Sequence, residues 1–250
     1  MKPQRPQSQF QPLETYKREL FSTPFYQMKF NWNYDEIIKD VRTAVSHVKK
    51  AHENDSARNY TTYFEREIHD KYISPKGWCK QLATNLKDTY MDLMHKEFMF
   101  ELNGLKRSDV HLHLWVNRYT DDHSHNAHNH KGSKLSGTFY VECGEVCAPI
   151  IFESPMEYAN MLFATRDCNN RDGQTAHHGV PAVQKEFQFM PRNGDVLLWP
   201  SYVYHHVPRQ QDQEERISIS FNLSHPEDLS YGFADDILDE IDYGFLTHDK

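Results

Sequence analysis

Four of the sixteen histidines of this chain lie in one short segment, NRYTDDHSHNAHNHKG, residues 117–132. They are His123, His125, His128 and His130. Imidazole is the commonest metal-binding side chain in proteins, and alternate residues of a strand point to the same side. His128 and His130 can therefore reach one ion together, so metal binding is the first chemistry that this segment predicts.

A second group of chemically active residues lies nearer the end of the sequence. The segment GDVLLWPSYVYHH, residues 194–206, ends in His205 and His206. In RISISFN, residues 216–222, an arginine and three small polar residues alternate with apolar ones. The polar face is either a solvated outer surface or the lining of a barrel, where Arg216 can bind a carboxylate through two parallel hydrogen bonds.

Two helices are predicted before this histidine-rich half of the chain. Residues 33–52 repeat apolar side chains with the helical period, and Asn33 followed by Glu36 is typical of a helix start. Residues 74–98 begin with Ser-Pro, a capping residue and then a proline at the first helical position. The apolar side of each helix predicts that both pack on a core.

From about residue 110 the period of the apolar residues changes to two, which is typical of strands. In VHLHLWVNRY, residues 110–119, Asn117 and Tyr119 share the face opposite the aliphatic residues. Further strand candidates are residues 20–30, 135–142, 148–153, 185–190, 194–200 and 216–223. Helices followed by many short strands predict an α+β fold whose strands form a sandwich or a barrel.

One long segment, residues 154–184, has no clear period. Long ordered loops in compact domains are usually functional, so we expect a lid over the site. Its candidate substrate contacts are Tyr158, Phe163 and His178.

The chain divides by composition into three parts. Residues 1–19 are rich in glutamine and proline and are predicted to be a disordered leader, and residues 20–224 are predicted to form a single domain. Residues 225–250 form an acidic tail, predicted either to pack on the domain as a helix or to dock a protein partner.

The distribution of charge argues weakly against nucleic acid as a partner. Residues 226–250 hold eight acidic residues and one basic residue, and so carry −7 of the net charge of −8. A nearly neutral body does not favour binding to phosphate backbones, although a local basic groove would permit it. The residues that could form such a groove are Arg118, Lys131 and Lys134.

The four cysteines show no disulfide framework for a chain of this size, and no run of eighteen apolar residues is present. We therefore predict a reducing, cytoplasmic location and no membrane partner. An alternative metal set, a zinc site, would combine Cys143, Cys147, Cys168 and His177.

The order of these segments resembles the iron(II)- and 2-oxoglutarate-dependent oxygenases. HNHKGSKLSGTFYV (128–141), GDVLLWPSYVYHHV (194–207) and ERISISFN (215–222) are similar to a branch common in phage and bacterial genomes. That branch has an HxH-x(4)-LSG-x-x-Y-V segment and a distal PS-x-x-x-H segment. The resemblance covers roughly residues 20–224 and implies an α+β chain with a double-stranded β-helix core of the jelly-roll or cupin type, with the N-terminal helices packed on it.

The resemblance implies Fe(2+) and 2-oxoglutarate as cofactors and assigns residues to each. His128 and His205, rather than His206, match the histidine ligands of the iron. Arg216 matches the residue that binds the distal carboxylate of 2-oxoglutarate. A further similarity, to the nucleic-acid dealkylase branch, implies additional contacts to 2-oxoglutarate from Asn117, Tyr119, Ser218 and Asn222.

The sequence departs from the family at the third iron ligand, where the family has a carboxylate and this chain has His130. His130 could bind the metal itself, or it could stand aside and leave a water in its place. An oxygen could instead come from Asp121, Asp122 or Glu153. We favour His130 as the ligand. We expect His123 and His125 to be solvated neighbours or to support the ligands.

The function implied is that of an iron(II)- and 2-oxoglutarate-dependent dioxygenase, a hydroxylase that consumes O2 and releases succinate and CO2. Its substrate would be a protein side chain, a modified nucleobase or a small metabolite. Two alternatives stay open: a cupin-like, three-histidine thiol dioxygenase that does not use 2-oxoglutarate, and a non-catalytic virion-associated or binding protein with a vestigial jelly roll. If the chain is phage-encoded, its location would be the host cytoplasm.

Overall fold

The structure, a computed structural model, describes residues 23–30, 32–51, 60–96, 106–120, 123–155, 186–210 and 215–225. Three helices, α1 Tyr34–Ala51, α2 Arg66–Tyr72 and α3 Gly77–Lys96, precede most of the strands. A 3-10 turn, Arg107–Asp109, leads into the sheets. Among these residues, no helix combines the length and the apolar character needed to cross a membrane.

Within the described ranges, ten strands form two antiparallel sheets. They are β1 Tyr26–Lys29, β2 Tyr60–Thr61, β3 His111–Tyr119, β4 His125–His128, β5 Leu135–Cys143, β6 Ile150–Glu153, β7 Glu186–Phe189, β8 Asp195–Pro200, β9 His205–Val207 and β10 Arg216–Ser224. The larger sheet has the order β1-β8-β5-β10-β3-β2, and the smaller has the order β4-β9-β6-β7. Helices and two packed antiparallel sheets confirm the predicted α+β class.

The larger sheet is buried on both faces, and the alternation of side chains along each strand decides which face meets what. In β5, Phe139 and Val141 join the core formed with the helices, whereas Tyr140 belongs to the core between the two sheets. In β8, Leu198 and Trp199 divide in the same way. The helices therefore cover one face of the larger sheet, and the smaller sheet covers the other.

The helices are fixed on the larger sheet by their apolar stripes. α1 buries Ile37, Val41 and Val45 completely or almost so, and α3 does the same with Leu82 and Leu86. These residues recur at the three- and four-residue spacing that keeps them on one side of a helix. Because the helices occupy the outer face, the inner face of β3, β5 and β10 is left to line a site between the sheets.

Gly137, in the centre of β5, marks a place where backbone and side chains approach closely. A β-carbon there would lie 2.4 Å from the carbonyl oxygen of Leu197 and 2.4 Å from the ring of Phe221. No side chain fits without displacing a neighbouring strand or a buried ring, so this position requires glycine. The LSG segment of the sequence thus has a packing reason for its glycine.

The predicted elements agree well with the structure where the periodic pattern of apolar residues extends over many residues. The expected helix 33–52 is α1, and the helix expected at 74–98 is α3, which begins at Gly77. Pro75 lies in the turn between α2 and α3, where the backbone N–H of Lys76 donates to the carbonyl of Ile73 at 3.0 Å. The strand expected over 20–30 is confined to β1 within the described residues.

Four of the short elements were not predicted. α2, β2, β4 and β9 span seven, two, four and three residues, which is too few for a period to show. The leader 1–19, nearly all of the loop 154–184, all but His225 of the tail 225–250, and Cys168 and His177 lie outside the described residues.

Candidate functional site

Three histidines of the smaller sheet converge at one point between the sheets. His128 of β4 pairs in register with His205 of β9, and His130 follows two residues after the end of β4. The backbone N–H of His130 donates to the carbonyl of Ser201 at 2.9 Å, which holds this residue beside the strand pair. The potential ligand atoms of His128, His130 and His205 all lie within 4.8 Å of one another. This separation suits one metal ion.

Two of these rings are held in the tautomer that a metal needs. His128 Nδ1 donates to the carbonyl of Asn126 at 2.8 Å, and His205 Nδ1 donates to the carbonyl of Val203 at 3.1 Å. Because a carbonyl only accepts, the proton lies on Nδ1 and the lone pair on Nε2. Both Nε2 atoms are therefore free to bind a cation.

His130 has a different support. Its Nδ1 lies 3.5 Å from the side-chain amide nitrogen of Asn222, whose Oδ1 accepts from Ser136 Oγ at 2.8 Å. Ser136 Oγ also lies 2.7 Å from Ser201 Oγ. The third histidine of the cluster is thus attached to the larger sheet by a chain of small polar side chains.

Burial keeps the whole cluster neutral. It lowers the pKa of His205 to about 2 and that of His130 to about 3, with the neighbouring histidines contributing in each case. Burial also lowers the pKa of His128, against a raising effect of its hydrogen bond to Asn126. Neutral imidazole is the form that binds metals, so protons do not compete with a metal for these rings at neutral pH.

No carboxylate of the described residues joins this cluster. Asp121 and Asp122 lie outside the described residues. Glu153 is placed instead next to His206, with Oε1 3.7 Å from His206 Nδ1. His206 alternates with His205 along β9 and lies outside the cluster.

Arg216 is the second chemical centre of the site. Its side chain is only 2% exposed and packs on two aromatic rings, 4.6 Å from the ring centre of Tyr119 and 5.1 Å from that of Tyr140. Its Nη2 donates to the Tyr140 hydroxyl at 3.3 Å. Burial raises the pKa of Tyr140, so its hydroxyl keeps its proton.

The guanidinium of Arg216 is left incompletely satisfied. Its Nε is buried without a hydrogen-bond partner, and within the described residues Arg216 forms no ion pair with a carboxylate. A buried cation without a counter-ion is costly, and an arginine presents a planar fork that matches a carboxylate. The surroundings of Arg216 therefore fit an organic acid bound in the cavity.

One cavity connects the two centres. It is lined from the larger sheet by Trp115, Tyr119, Gly137, Thr138, Trp199, Arg216, Ser218 and Ser220, and from the smaller sheet and its edge by His125, His128, His130, Ile150, His205 and Val207. A carboxylate held at Arg216 and a metal held by the histidines would thus face the same space. This is the arrangement needed to hold one bifunctional acid at both ends.

The residues that the sequence assigned to 2-oxoglutarate fall into two groups. Tyr119 and Ser218 line the cavity beside Arg216. Asn117 and Asn222 are not among the lining residues: Asn117 Nδ2 donates to Ser220 Oγ at 2.9 Å, and Asn222 lies beside Ser136 and His130. Both asparagines are therefore placed to act through neighbouring side chains.

Several residues of the site were not assigned from the sequence. Thr138 and Tyr140 share the inner face of β5, and the alternation in LSGTFYVE could have identified them once that face was known to be the inner one. His125 lines the cavity and is half-buried, and His123 is only 4% exposed, so neither is a solvated neighbour. Of the alternative zinc set, Cys143 and Cys147 form no disulfide and join no metal-binding group within the described residues.

Comparison with known proteins agrees with this site. Residues 113–222 match the family model described as "Putative 2OG-Fe(II) oxygenase". The match begins in β3 and ends in β10, and so includes the three histidines and Arg216. No curated protein matches the chain in sequence. Over residues 113–222 the chain is thus similar to the 2OG-Fe(II) oxygenases.

Solved structures show the same fold at low sequence identity. The non-heme alpha-ketoglutarate-dependent carbocyclase SnoK from nogalamycin biosynthesis superposes with a TM-score of 0.50 at 8% identity, over 80% of this chain and 79% of SnoK. A prolyl-4-hydroxylase from Pseudomonas putida has a TM-score of 0.46 at 12% identity, over 82% of this chain and 94% of its own. HygX from Streptomyces hygroscopicus, with nickel and 2-oxoglutarate bound, has a TM-score of 0.46 at 13% identity, over 81% and 83%. The likeness to SnoK and the two facing sheets confirm the double-stranded β-helix core.

Proposed function

We propose that this chain is an iron(II)- and 2-oxoglutarate-dependent dioxygenase that hydroxylates its substrate. The observation that carries the proposal is one cavity with a neutral three-histidine cluster at one end and an unpaired, buried arginine at the other. In the balanced reaction, 2-oxoglutarate, O2 and a substrate C–H group give succinate, CO2 and the hydroxylated substrate. One oxygen atom enters succinate, and the other enters the product.

The metal would be held by His128, His130 and His205. When bound together with 2-oxoglutarate, iron(II) supplies the activation of O2. The three imidazoles are neutral, so they would hold the cation without offsetting its charge. All three line the cavity, so a metal held by them would be accessible to an acid bound there.

The distal carboxylate of 2-oxoglutarate would pair with Arg216. Tyr119 and Ser218 offer hydroxyl donors from the same wall of the cavity, and Tyr140 supports the guanidinium from behind. Asn117 and Asn222 would contribute indirectly, by fixing Ser220 and His130. The buried surroundings strengthen this charge pair because little water competes for either ion.

A second candidate, the cupin-like thiol dioxygenase, is favoured by one observation. The cluster contains three histidines and no carboxylate of the described residues. That reaction gives no use to a buried, unpaired arginine unless the substrate itself carries a carboxylate. The consumption of 2-oxoglutarate distinguishes the two functions.

The test of the proposal is the formation of succinate. Purified protein with Fe(II), ascorbate, O2 and 2-oxoglutarate should form succinate slowly even without its substrate, and Arg216→Ala and His205→Ala should abolish the product. His206→Asn is the matched control, because His206 neighbours His205 in the sequence and lies outside the cluster. Succinate formation that persists in Arg216→Ala would contradict the proposed pairing of Arg216 with the distal carboxylate of 2-oxoglutarate. If the wild type forms no succinate, the second candidate is favoured.

The substrate class and cellular context belong to the same proposal. We retain a protein side chain, a modified nucleobase or a small metabolite as substrate classes, and a cytoplasmic location. The charge around Arg118 does not favour nucleic acid, because this residue pairs with Glu215, which also accepts from Arg42 at 3.0 Å. Residues 20–224 would form one domain, with residues 154–184 as a lid and residues 225–250 as a tail that docks a protein partner.

A further inference from the structure

His125 connects the two chemical centres of the cavity. Its ring stacks on that of His128, with centroids 4.1 Å apart and an interplanar angle of 24°. Its Nδ1 lies 3.2 Å from the Tyr119 hydroxyl. Tyr119 in turn packs its ring against Arg216 and pairs with it in register across β3 and β10. A continuous contact path therefore runs from the metal cluster to the arginine.

An irregularity in β4 brings His125 into the cavity. His125 and His128 are three residues apart, so in a regular strand they would point to opposite faces. On the partner strand, however, their register mates Val207 and His205 are only two residues apart. β4 therefore contains one extra residue, a β-bulge, and both imidazoles line the cavity.

His125 is not placed as a metal ligand. The group of ligand atoms that lie within 4.8 Å of one another contains His128, His130 and His205 but not His125. Its directed polar contact is to the hydroxyl of Tyr119, on the side of the cavity where Arg216 lies. The contacts of His125 therefore indicate a role at the arginine end of the cavity.

We propose that His125 is a positioning residue that directs the Tyr119 hydroxyl proton towards the carboxylate of the acid bound at Arg216. This inference rests on the proposed function. A phenol has one proton. If His125 Nδ1–H donates to the Tyr119 oxygen, the phenol proton is available to an anion in the cavity. If Nδ1 instead accepts, Tyr119 has no proton for the carboxylate, which can only accept. A bound carboxylate thus selects the arrangement in which His125 donates.

The test separates the binding of 2-oxoglutarate from the binding of the metal. Calorimetry first measures the Zn(II) affinity of the full-length protein. It then measures the affinity of the Zn(II)-loaded protein for 2-oxoglutarate. His125→Phe keeps a stacking ring without an N–H donor, and His125→Asn keeps a donor without the ring. We expect His125→Phe to weaken 2-oxoglutarate about ten-fold, the value of one hydrogen bond to a charged group, with Zn(II) affinity unchanged. His125→Asn should recover most of the 2-oxoglutarate affinity that is lost in His125→Phe.

A double-mutant cycle with Tyr119→Phe makes the test specific. If His125 acts through the Tyr119 hydroxyl, the double variant Tyr119→Phe/His125→Phe should bind 2-oxoglutarate no more weakly than Tyr119→Phe alone. Additive losses, or an equal loss of Zn(II) affinity in His125→Phe, would overturn the positioning role. His206→Asn serves as the control and should match the wild type in both titrations.

Failure of this inference and failure of the proposed function give different results. If the wild type binds 2-oxoglutarate and His125→Phe binds it equally well, His125 has no positioning role and the proposed function stands. If the Zn(II)-loaded wild type does not bind 2-oxoglutarate, both are refuted. Thermal unfolding of each variant, measured alongside, confirms that the comparison is made between folded proteins.

Discussion

Arg216 shows how a single residue can indicate a ligand. Its guanidinium is buried on aromatic rings, and its Nε has no partner. Such a group lowers the stability of the empty protein, because the cost of desolvating the charge is not offset by a counter-ion. An anion bound at Arg216 would offset this cost.

We therefore predict opposite effects of Arg216→Met on the free and the ligand-bound protein. Without ligand, the variant should be as stable as the wild type or more stable by about 1 kcal/mol or more, since replacing a buried charge by an apolar side chain is often stabilising. With 2-oxoglutarate and Zn(II), only the wild type should gain thermal stability on addition of the acid. Urea unfolding and thermal shift measure the two effects. A large loss of stability in the empty variant would show that Arg216 is structural.

Asn222 is the residue on which the third histidine depends. As placed, its amide nitrogen faces His130 Nδ1, which puts the imidazole proton on Nε2. With the amide turned over, its oxygen accepts from Nδ1–H and its nitrogen donates to Ser136 Oγ, which frees His130 Nε2 for a metal. Metal binding by His130 therefore requires the second orientation.

The corresponding prediction is a metal-binding defect. Asn222→Ala should lower Zn(II) affinity about 10-fold or more, the usual effect of removing the partner of a ligating histidine, and Asn222→Asp should preserve or raise it. Chelator competition measures the affinities without 2-oxoglutarate present. Asn117→Ala is the matched control, because the side-chain amide of Asn117 donates to Ser220. Equal affinities for Asn222→Ala and the wild type would exclude His130 as a strong ligand.

At the scale of elements, strand alternation made much of the site predictable. The polar faces of β3 and β10 were identified from the sequence, and Tyr119, Arg216 and Ser218 line the cavity as that alternation implies. The regular alternation of side chains is broken at the bulge in β4. One extra residue there moves the side chains that precede it to the opposite face of the strand. His125 was missed as a cavity residue for this reason, and a bulge in a four-residue strand leaves no trace in the period.

The close packing at Gly137 gives a prediction at this scale. Gly137→Ala should destabilise the protein by about 1–3 kcal/mol, the range for overpacking a filled core, because its β-carbon would collide with β8 and Phe221. Gly77→Ala is the control, since nothing lies within 4 Å of an added β-carbon at the start of α3. Gly77→Ala should be neutral or slightly stabilising. Equal unfolding free energies for both variants would contradict the strand packing.

At the scale of the molecule, several histidines are buried in neutral form, and this makes stability depend on pH. Burial lowers the pKa of His69 and of His113 to about 4, and His69 Nδ1 lies 3.2 Å from the Thr62 hydroxyl. Above pH 6.5 these rings are neutral in both states. Between pH 6.5 and 4 the unfolded chain takes up protons that the folded chain does not, so stability falls as the pH is lowered.

We predict that the metal-free protein loses stability steeply between about pH 6.5 and 4, with His69 contributing up to about 3 kcal/mol. His69→Gln should reduce the slope of the unfolding free energy against pH by about one proton over that range. Urea unfolding at a series of pH values gives the slope. A variant with the same slope as the wild type would show that His69 is not held neutral by the fold.

The limits of sequence prediction are also clearest at this scale. The helices, the main strands and the order of histidine, histidine and arginine followed from period and resemblance. The placement of His130 beside the strand pair did not, although its part in the metal set was expected, because that placement depends on the pairing of β4 with β9 and on the contact with Ser201. Both are set by tertiary packing between segments that are distant in the chain.

The most direct test of the account is an anaerobic titration of metal-free protein with Fe(II) and then with 2-oxoglutarate, followed by visible absorption. We expect a charge-transfer band that needs both additions, is lost in His205→Ala and is weakened in Arg216→Ala. A protein that binds Fe(II) but shows no change on adding 2-oxoglutarate would contradict the co-substrate role of Arg216. A protein that binds neither would contradict the metal site itself.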